Sequence, residues 1–392
     1  MRNYFFSADD PLTEYRKSDF TFVASVILLF GLGLFSLFIS SQQYAERMFG
    51  NPFYFVKRQL VSIALGFAGF VFFATLHIKR IRKVLPFVVL VALILCVLTF
   101  VPGISVERNG ARRWIRLPLS FTLQPSEFAK FAIVLFLANL FDKQAAIQNP
   151  NEKSVLPAVI GIVVFSVLIV LQKDFSTAVF LFGIGIALFF VTGSKLAWFF
   201  PSLILIIPAL VLLIVQEPYR IERIIAFLKP TEGLRTYNYQ SIAAKRAISS
   251  GNIWGLGIGS ALNFVHAIPE VQADYIFAGW AEAMGFVGVA LYFLLLTVFS
   301  YRAFRIALHC KNRFAAFASF GFALVIFLQS LMNTAVVAGL LPTTGIPLPF
   351  FSLGGSSIVV TFLMCGFLVN TSRLTSDGDA DENMVIKKGD EQ

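Results

Sequence analysis

The chain has 392 residues, of which 57% are hydrophobic and only 14% charged, with a net charge of +10. Soluble domains carry roughly 25% charged residues, so a soluble multidomain enzyme is excluded, along with disordered, collagenous and coiled-coil classes. Three scattered cysteines, Cys96, Cys310 and Cys365, supply neither a disulfide framework nor a metal cluster. The basic balance on so apolar a chain fits contact with anionic membrane lipids, and no nucleic-acid partner is expected.

A bilayer core needs about 20 apolar residues per helix, and the apolar runs between charge clusters number ten. Residues 1–19 form a polar amino-terminal segment with no cleavable signal ahead of the first span at 20–40. The second span, 59–76, opens behind Arg58, and the third covers 84–101. A basic loop with Arg108, Arg112, Arg113 and Arg116 leads to the fourth span at 125–141. Pro125 suits a first helical turn and Glu127 its positive dipole end. Glu127 and Lys130, three residues apart, can meet on one helix face, either as a structural ion pair or as part of a polar cavity. The fifth and sixth spans, 155–171 and 176–192, are parted only by Gln172-Lys173-Asp174. Asp174, like Arg58, can anchor an interface or line a cavity.

After a seventh span at 197–215 comes a long loop, 216–274, holding Arg220, Arg223, Lys229, Arg235, Lys245 and Arg246. Tyr239–Ser249 within it reads as a short helix of low charge lying on the membrane surface. The glycine-dense Gly251–Gly259 lacks the strand–helix context of a phosphate loop and reads as a flexible or tightly turned approach to the eighth span, 275–300. Asp274 stands at the outer lip of that span and Glu282 two turns deeper. On one continuous helix they lie about 12 Å apart along the axis and about 80° apart around it, too far to share a proton. The ninth and tenth spans, 314–338 and 356–371, precede a polar tail, 376–392. The organisation expected is a single membrane domain over 20–375 between these two segments.

Once the long loop is discounted, Lys and Arg lie mainly on the segments that share a side with the amino terminus. Both termini are therefore cytoplasmic and 216–274 is extracytoplasmic. Two outside loops, 102–124 and 216–274, are nonetheless strongly basic. Positive charge there opposes the insertion bias and is better read as a surface for anionic groups. His77, His266 and His309 show no ligand spacing, so no metal site is expected; no cofactor is called for, and a divalent cation is left open. Intramembrane charges are functional candidates by default. Composition and spacing thus give an all-α polytopic membrane protein of ten spans that handles an anionic lipid-linked molecule at its outer face. They leave open whether the molecule is moved or reacted.

Several motifs go further. Arg58-Gln59, Asn109-Gly-Ala-Arg-Arg-Trp-Ile115, Gln124-Pro-Ser-Glu-Phe-Ala-Lys130, Gln172-Lys-Asp174 and Tyr219-Arg-Ile-Glu-Arg-Ile occur in order. They are followed by Ser249–Ser260, Ile268-Pro-Glu through Asp274-Tyr-Ile-Phe-Ala278, and Gly339–Ser357. Together, over about 320 residues, they resemble the SEDS family of bacterial cell-wall proteins, the FtsW, RodA and SpoVE group. The resemblance implies a peptidoglycan glycosyltransferase that polymerises lipid II in the bacterial inner membrane, working with a class B penicillin-binding transpeptidase. It implies that Asp274 is the essential outer-loop aspartate, and that Glu127, Lys130, Asp174 and Arg58 belong to the central cavity. On that reading Arg112, Arg113 and Arg220, or Lys130, hold the charge of a departing undecaprenyl diphosphate, with Glu282 a further cavity residue. A single displacement inverts the anomeric centre.

The sequence departs from the family pattern at Lys173, Gln272-Ala273, Ala283 and Leu353, which changes the outer cavity and leaves Glu282 without a second carboxylate beside it. The short passage Gly259–Pro269 and Tyr219–Phe227 resemble the division branch, and Gly345–Pro349 the elongation branch. The balance favours division, with other divisome proteins as partners and the septum as location. The rivals are an elongation-type polymerase, a lipid II flippase and a scaffold that only recruits the transpeptidase.

Overall fold

The computed structural model describes residues 17–108, 110–118, 121–147, 154–191, 214–228, 235–258, 268 and 270–374. Most of the seventh span, the amino-terminal segment and the polar tail lie outside the described residues. Eleven helices are described: α1 (Phe20–Phe49), α2 (Tyr54–Thr75), α3 (Ile78–Leu98), α4 (Pro125–Ala146), α5 (Leu156–Leu171), α6 (Phe175–Val191), α7 (Pro218–Leu228), α8 (Arg235–Ser250), α9 (Ile276–Leu308), α10 (Arg313–Val337) and α11 (Gly355–Ser372). Six of them, α1, α2, α3, α9, α10 and α11, are long and apolar enough to cross a membrane, and α5 and α6 are shorter apolar helices.

Their surfaces identify the solvent. Leu65, Phe67 and Phe72 on α2, with Phe87, Leu90 and Ile94 on α3, are exposed. A water-soluble protein does not expose so many large apolar side chains along its helices, whereas lipid accepts them at no cost. α10 and α11 are buried along most of their length and form the centre of the bundle. The chain is a polytopic, mainly helical membrane protein.

Polar contacts at the helix ends place both ends of the described chain on one face. The Asp19 carboxylate caps α1 by accepting from Phe22 N at 2.9 Å, and pairs with Arg302 near the end of α9 at 2.6 Å. The Asp19 amide donates to Ser372 Oγ at the end of α11. Arg82 on α3 meets Asp142 on α4 at 2.6 Å, and the Arg373 guanidinium donates to Ala74 O at the end of α2. The opposite face carries the candidate site.

Four local features depart from the sequence reading. The outer loop before α4 is not irregular: β1 (Ser105–Arg108), β2 (Ala111–Arg116) and β3 (Thr122–Leu123) form an antiparallel sheet in that order, so the fold is not purely α. A left-handed Gly110, φ +72°, stands in the β1–β2 connection, where a tight hairpin demands it. The second departure is α8. It is part of the bundle, burying Ala243, Ala244 and Ala247 in packing against α9 and α10. Small side chains at this spacing let helix backbones approach closely.

The third departure is inside α9. At 1.5 Å per residue, 33 residues would rise about 50 Å, beyond the roughly 30 Å of a hydrocarbon core. The helix is in fact broken at Gly285, where φ is +60° and ψ −161°. An unbroken helix would join Phe286 N to Glu282 O and Val287 N to Ala283 O. The glycine-rich loop after α8 takes all four groups instead. Leu256 N donates to Glu282 O at 2.9 Å and Gly257 N to Ala283 O at 3.0 Å; Phe286 N donates to Asn252 O at 2.9 Å and Val287 N to Ile253 O at 3.1 Å. A Cβ at position 285 would stand 2.3 Å from Gly255 N, so the junction needs glycine both for its left-handed φ and for its clearance.

The fourth departure is the segment between α10 and α11, which re-enters the bundle. Phe350 packs edge-on to Phe30 of α1 and against Phe299 of α9, with centroids 4.9 and 5.3 Å away. Its carbonyl passes so close to Gly33 that a Cβ there would lie 2.1 Å from the oxygen. Non-helical backbone at this depth is tolerated because it is buried in protein. The Leu348 amide donates to Ser352 Oγ at 2.7 Å, and Gln59 Nε2 donates to Ser352 O at 3.1 Å.

Candidate active site

Asp274 closes the turn 270–274 that leads into α9, on the face opposite the chain ends. Its side chain is exposed, yet the surrounding protein displaces enough water to push its carboxyl above the ordinary carboxylate range. Glu270 pushes it further up, Arg223 and Arg113 pull it back, and Asp174 adds a smaller upward push. The carboxylate faces the re-entrant segment, where the Cβ position of Gly345 lies 3.7 Å from Asp274 Oδ2. Because Asp274 precedes the helix, the 12 Å and 80° relation to Glu282 expected of one continuous helix does not apply. Glu282 is buried and accepts from Ser250 Oγ of α8 at 3.4 Å. It takes part in the α8–α9 contact.

Three arginines, Arg113, Arg220 and Arg223, are held by Lys173 O, the Tyr219 hydroxyl and Thr343 O. Strand alternation sends Arg112 and Arg113 to opposite faces of β2. Arg112 pairs with Glu107 across the hairpin at 3.1 Å, both about half exposed, and stays out of the cluster. Arg113 turns inward and donates to Lys173 O. On α7, Tyr219 Oη donates to the same carbonyl at 3.4 Å and accepts from Arg220 Nε at 3.1 Å. Arg220 is buried and lies over the Phe175 ring, 4.9 Å from its centroid. Arg223, one turn on, lies 5.6 Å over Tyr219 and donates to Thr343 O of the re-entrant segment at 3.2 Å. The Nε atoms of Arg113 and Arg223 are buried without an acceptor among the described residues. Two guanidinium groups thus set positive charge close to a carboxylate of raised proton affinity.

The remaining candidates support this arrangement from below. Asp174 is buried, caps α6 by accepting from Thr177 N, and accepts from Gln124 Nε2 and Ser126 Oγ, all at 3.4 Å. Arg58 lies over Phe121 beside β3, 5.3 Å from the ring centroid. Glu127 and Lys130 form a buried ion pair at 2.9 Å, and Lys130 Nζ also donates to Gln329 Oε1 at 2.8 Å. Lys130 is thus already committed to Glu127 and Gln329, which leaves the arginines as the better partners for an outside anion.

The sequence reading passes over Gln329 and Asn333. Both are amides on α10, one turn apart and facing the re-entrant segment. Gln329 Nε2 donates to Pro347 O at 2.9 Å; Asn333 Nδ2 donates to Ile346 O at 2.9 Å and to Asp274 O at 3.0 Å. A signal for them exists: two carboxamides at i and i+4 in an otherwise apolar span cannot face lipid cheaply. Arg223 stands in the sequence only as one charge of a basic loop.

A family model described as "Cell cycle protein", FTSW_RODA_SPOVE, matches residues 20–377. Stage V sporulation protein E of Bacillus subtilis is 34% identical over 362 residues, covering 92% of this chain and 98% of that protein. A protein of Trichlorobacter lovleyi named "Probable peptidoglycan glycosyltransferase FtsW" is 33% identical over 361 residues, covering 92% of this chain and 94% of its own. Among solved structures, a chain from "Structural coordination of polymerization and crosslinking by a peptidoglycan synthase complex" aligns with a TM-score of 0.74 at 26% identity. The alignment covers 92% of this chain and 99% of that one. The rod shape determining protein RodA of Thermus thermophilus shares the fold, with a TM-score of 0.66 at 24% identity over 91% of this chain and 97% of its own.

Proposed function

This chain belongs to the FtsW/RodA/SpoVE family of cell cycle proteins, and on that premise we propose that it is the peptidoglycan glycosyltransferase that polymerises lipid II for the division septum. In this reading the membrane is crossed ten times, with both termini in the cytoplasm, the loop 216–274 outside and the tail 376–392 inside. The site therefore opens at the outer surface of the bacterial inner membrane, where lipid-linked disaccharide is presented.

The observation that carries the reading is one exposed carboxylate, Asp274, which faces the re-entrant segment at Gly345, has a raised proton affinity and feels the opposing charges of Arg223 and Arg113. As general base, Asp274 takes the proton from the 4-hydroxyl of an acceptor lipid II as that oxygen attacks the anomeric carbon of the donor. The bond to undecaprenyl diphosphate breaks in the same step, and the configuration inverts. The diphosphate is a good leaving group without a protein acid. The guanidinium charges of Arg113 and Arg223, with Arg220 behind them, stabilise the charge that develops on it. Arg112 and Lys130 take no part in this, since one faces outward with Glu107 and the other is held by Glu127. The resemblance to a peptidoglycan synthase complex supports a class B penicillin-binding transpeptidase as the partner that cross-links the emerging strand.

The deciding experiment is polymerisation of labelled lipid II by the purified chain with its transpeptidase in lipid nanodiscs. Asp274→Asn, of equal size, should abolish glycan strands while leaving detergent thermostability unchanged. Strands made by the variant at the parental rate remove Asp274 as the base. Translocation of lipid II across liposomes without any polymer would replace the enzyme with a flippase.

A further inference from the structure

We infer that Asn333 is a positioning residue: its side-chain amide locks the turn bearing Asp274 to the re-entrant segment, and so fixes where the base stands. The inference rests on the reading of Asp274 as general base and adds a residue that neither spacing nor resemblance singled out.

Asn333 is buried at 2% exposure near the outer end of α10. Its Nδ2 carries two protons, and two backbone carbonyls use them: Asp274 O at 3.0 Å and Ile346 O at 2.9 Å. One nitrogen thereby joins three separate pieces of chain, namely α10, the turn 270–274 and the segment 345–349. The orientation of the amide is not arbitrary. Turned over, it would set Oδ1 against two carbonyl oxygens, so the donors must point at them. Oδ1 itself is buried with no partner among the described residues. A group that leaves one end unsatisfied in order to use both protons of the other is held there by those two bonds.

The two joined pieces are the walls of the candidate site. Gly345, the residue before Ile346, faces Asp274 Oδ2. Arg223 reaches Thr343 O of the same segment. The join has a second stitch, from Leu353 N to Gln272 O at 2.8 Å, which holds the far side of the turn without contacting Asp274. Gln329, one helical turn below Asn333, fixes Pro347 and ties the segment to the Glu127–Lys130 pair. Asn333 is the member of this set that bonds the Asp274 backbone directly. Its loss frees that peptide while the second stitch and the Gln329 tie remain. A displacement of about 1 Å at a reacting group can lower turnover about 100-fold, and substrate binding through the arginines does not depend on that peptide.

The test uses Asn333→Leu, which removes both donors, and Asn333→Ser, a smaller change that leaves one hydroxyl donor. Full-length variants in nanodiscs with the partner transpeptidase are followed by hydrogen exchange of peptides covering 270–276 and 343–349 and by lipid II polymerisation. Faster exchange in both peptides with the α10 and α11 peptides unchanged, and kcat down about 100-fold for Leu and less for Ser at constant KM, is the expected result. Unchanged exchange at 270–276 in a folded variant overturns the clamp, whatever the activity. Loosened exchange with parental kcat also overturns it, since the base would then not need holding. If Asn333→Leu does not fold, Asn333→Ser decides by the same readouts. Should the parent chain make no polymer while Asn333→Leu loosens both peptides, the glycosyltransferase reading fails and the clamp on the 270–274 turn stands.

Discussion

Replacing Lys130 by Met is the sharpest probe of what holds the site in place. Glu127 and Lys130 meet at 2.9 Å with side chains 3% and 2% exposed, so water reaches neither charge. Removing one member of such a buried pair generally costs about 3–5 kcal/mol, because the other charge is left uncompensated. Glu127 is the third residue of α4, where the positive helix end offsets about 1 kcal/mol of that loss. Gln329 Oε1 loses its donor, at about 1 kcal/mol in the other direction. The expected destabilisation is therefore about 4 kcal/mol. The double variant Glu127→Gln, Lys130→Met leaves no buried charge and should lose under about 1.5 kcal/mol, giving a coupling of about 2 kcal/mol or more. Denaturing-detergent titration in mixed micelles, run on the parent, both single variants and the double variant, measures these differences. A single variant no worse than the exposed Arg112→Met, or a double variant worse than either single one, would refute the argument that the pair is structural.

Three further outcomes follow from the geometry. A base works only when deprotonated, so polymerisation should fall as pH drops through a midpoint above the ordinary aspartate value of about 3.9. In kcat/KM profiles that midpoint should move down in Glu270→Gln, which removes a like charge, and up in Arg223→Gln, which removes an opposite one; movements of reversed sign reject the assignment. Gly285→Ala forces a Cβ to 2.3 Å from Gly255 N at φ +60° and should cost more than about 2 kcal/mol. Gly31→Ala in α1, with nothing within 4 Å of its Cβ position, should gain about 0.5–1 kcal/mol, both read by the same titration. Finally, Arg112→Ala should change stability by less than about 1 kcal/mol and leave polymer yield near parental, while Arg113→Ala, one residue on, should reduce the yield strongly.

Much of the membrane architecture is legible in the sequence because burial in lipid makes apolar runs nearly continuous. The starts expected at 125, 155 and 176 fall within a residue of α4, α5 and α6, since Pro125, Pro157 and Asp174 mark helix beginnings by local chemistry. The misses share a cause. Gly285 looks like any span glycine until a second glycine-rich segment, 25 to 35 residues earlier, is known to dock on it. The re-entrant Leu348–Ser352 is apolar enough to pass for loop or helix alike, and its depth is fixed by Gly33 and Phe30 of a helix some 300 residues away. The sheet is more accessible: Asn109-Gly110 between two alternating segments is a strong hairpin signal, masked by the density of arginines around it. Asp274, Glu127 and Lys130 are legible as charges out of place. Which of them face the substrate and which neutralise each other depends on tertiary contacts.

The docking of Gly251–Gly257 onto the interrupted α9 also bears on how the chain is made. Four backbone groups of that helix have no partner within it, and each left bare in hydrocarbon is penalised by several kcal/mol. Their partners are supplied by the stretch that leaves the ribosome just before them, so the two pieces can reach the lipid as a unit, with little loop to close. A chain truncated after Ser250 and rejoined at Ile268 would offer the insertion machinery a helix it cannot solvate. Its defect would show at the quality-control proteases, before any question of sugar chemistry arose.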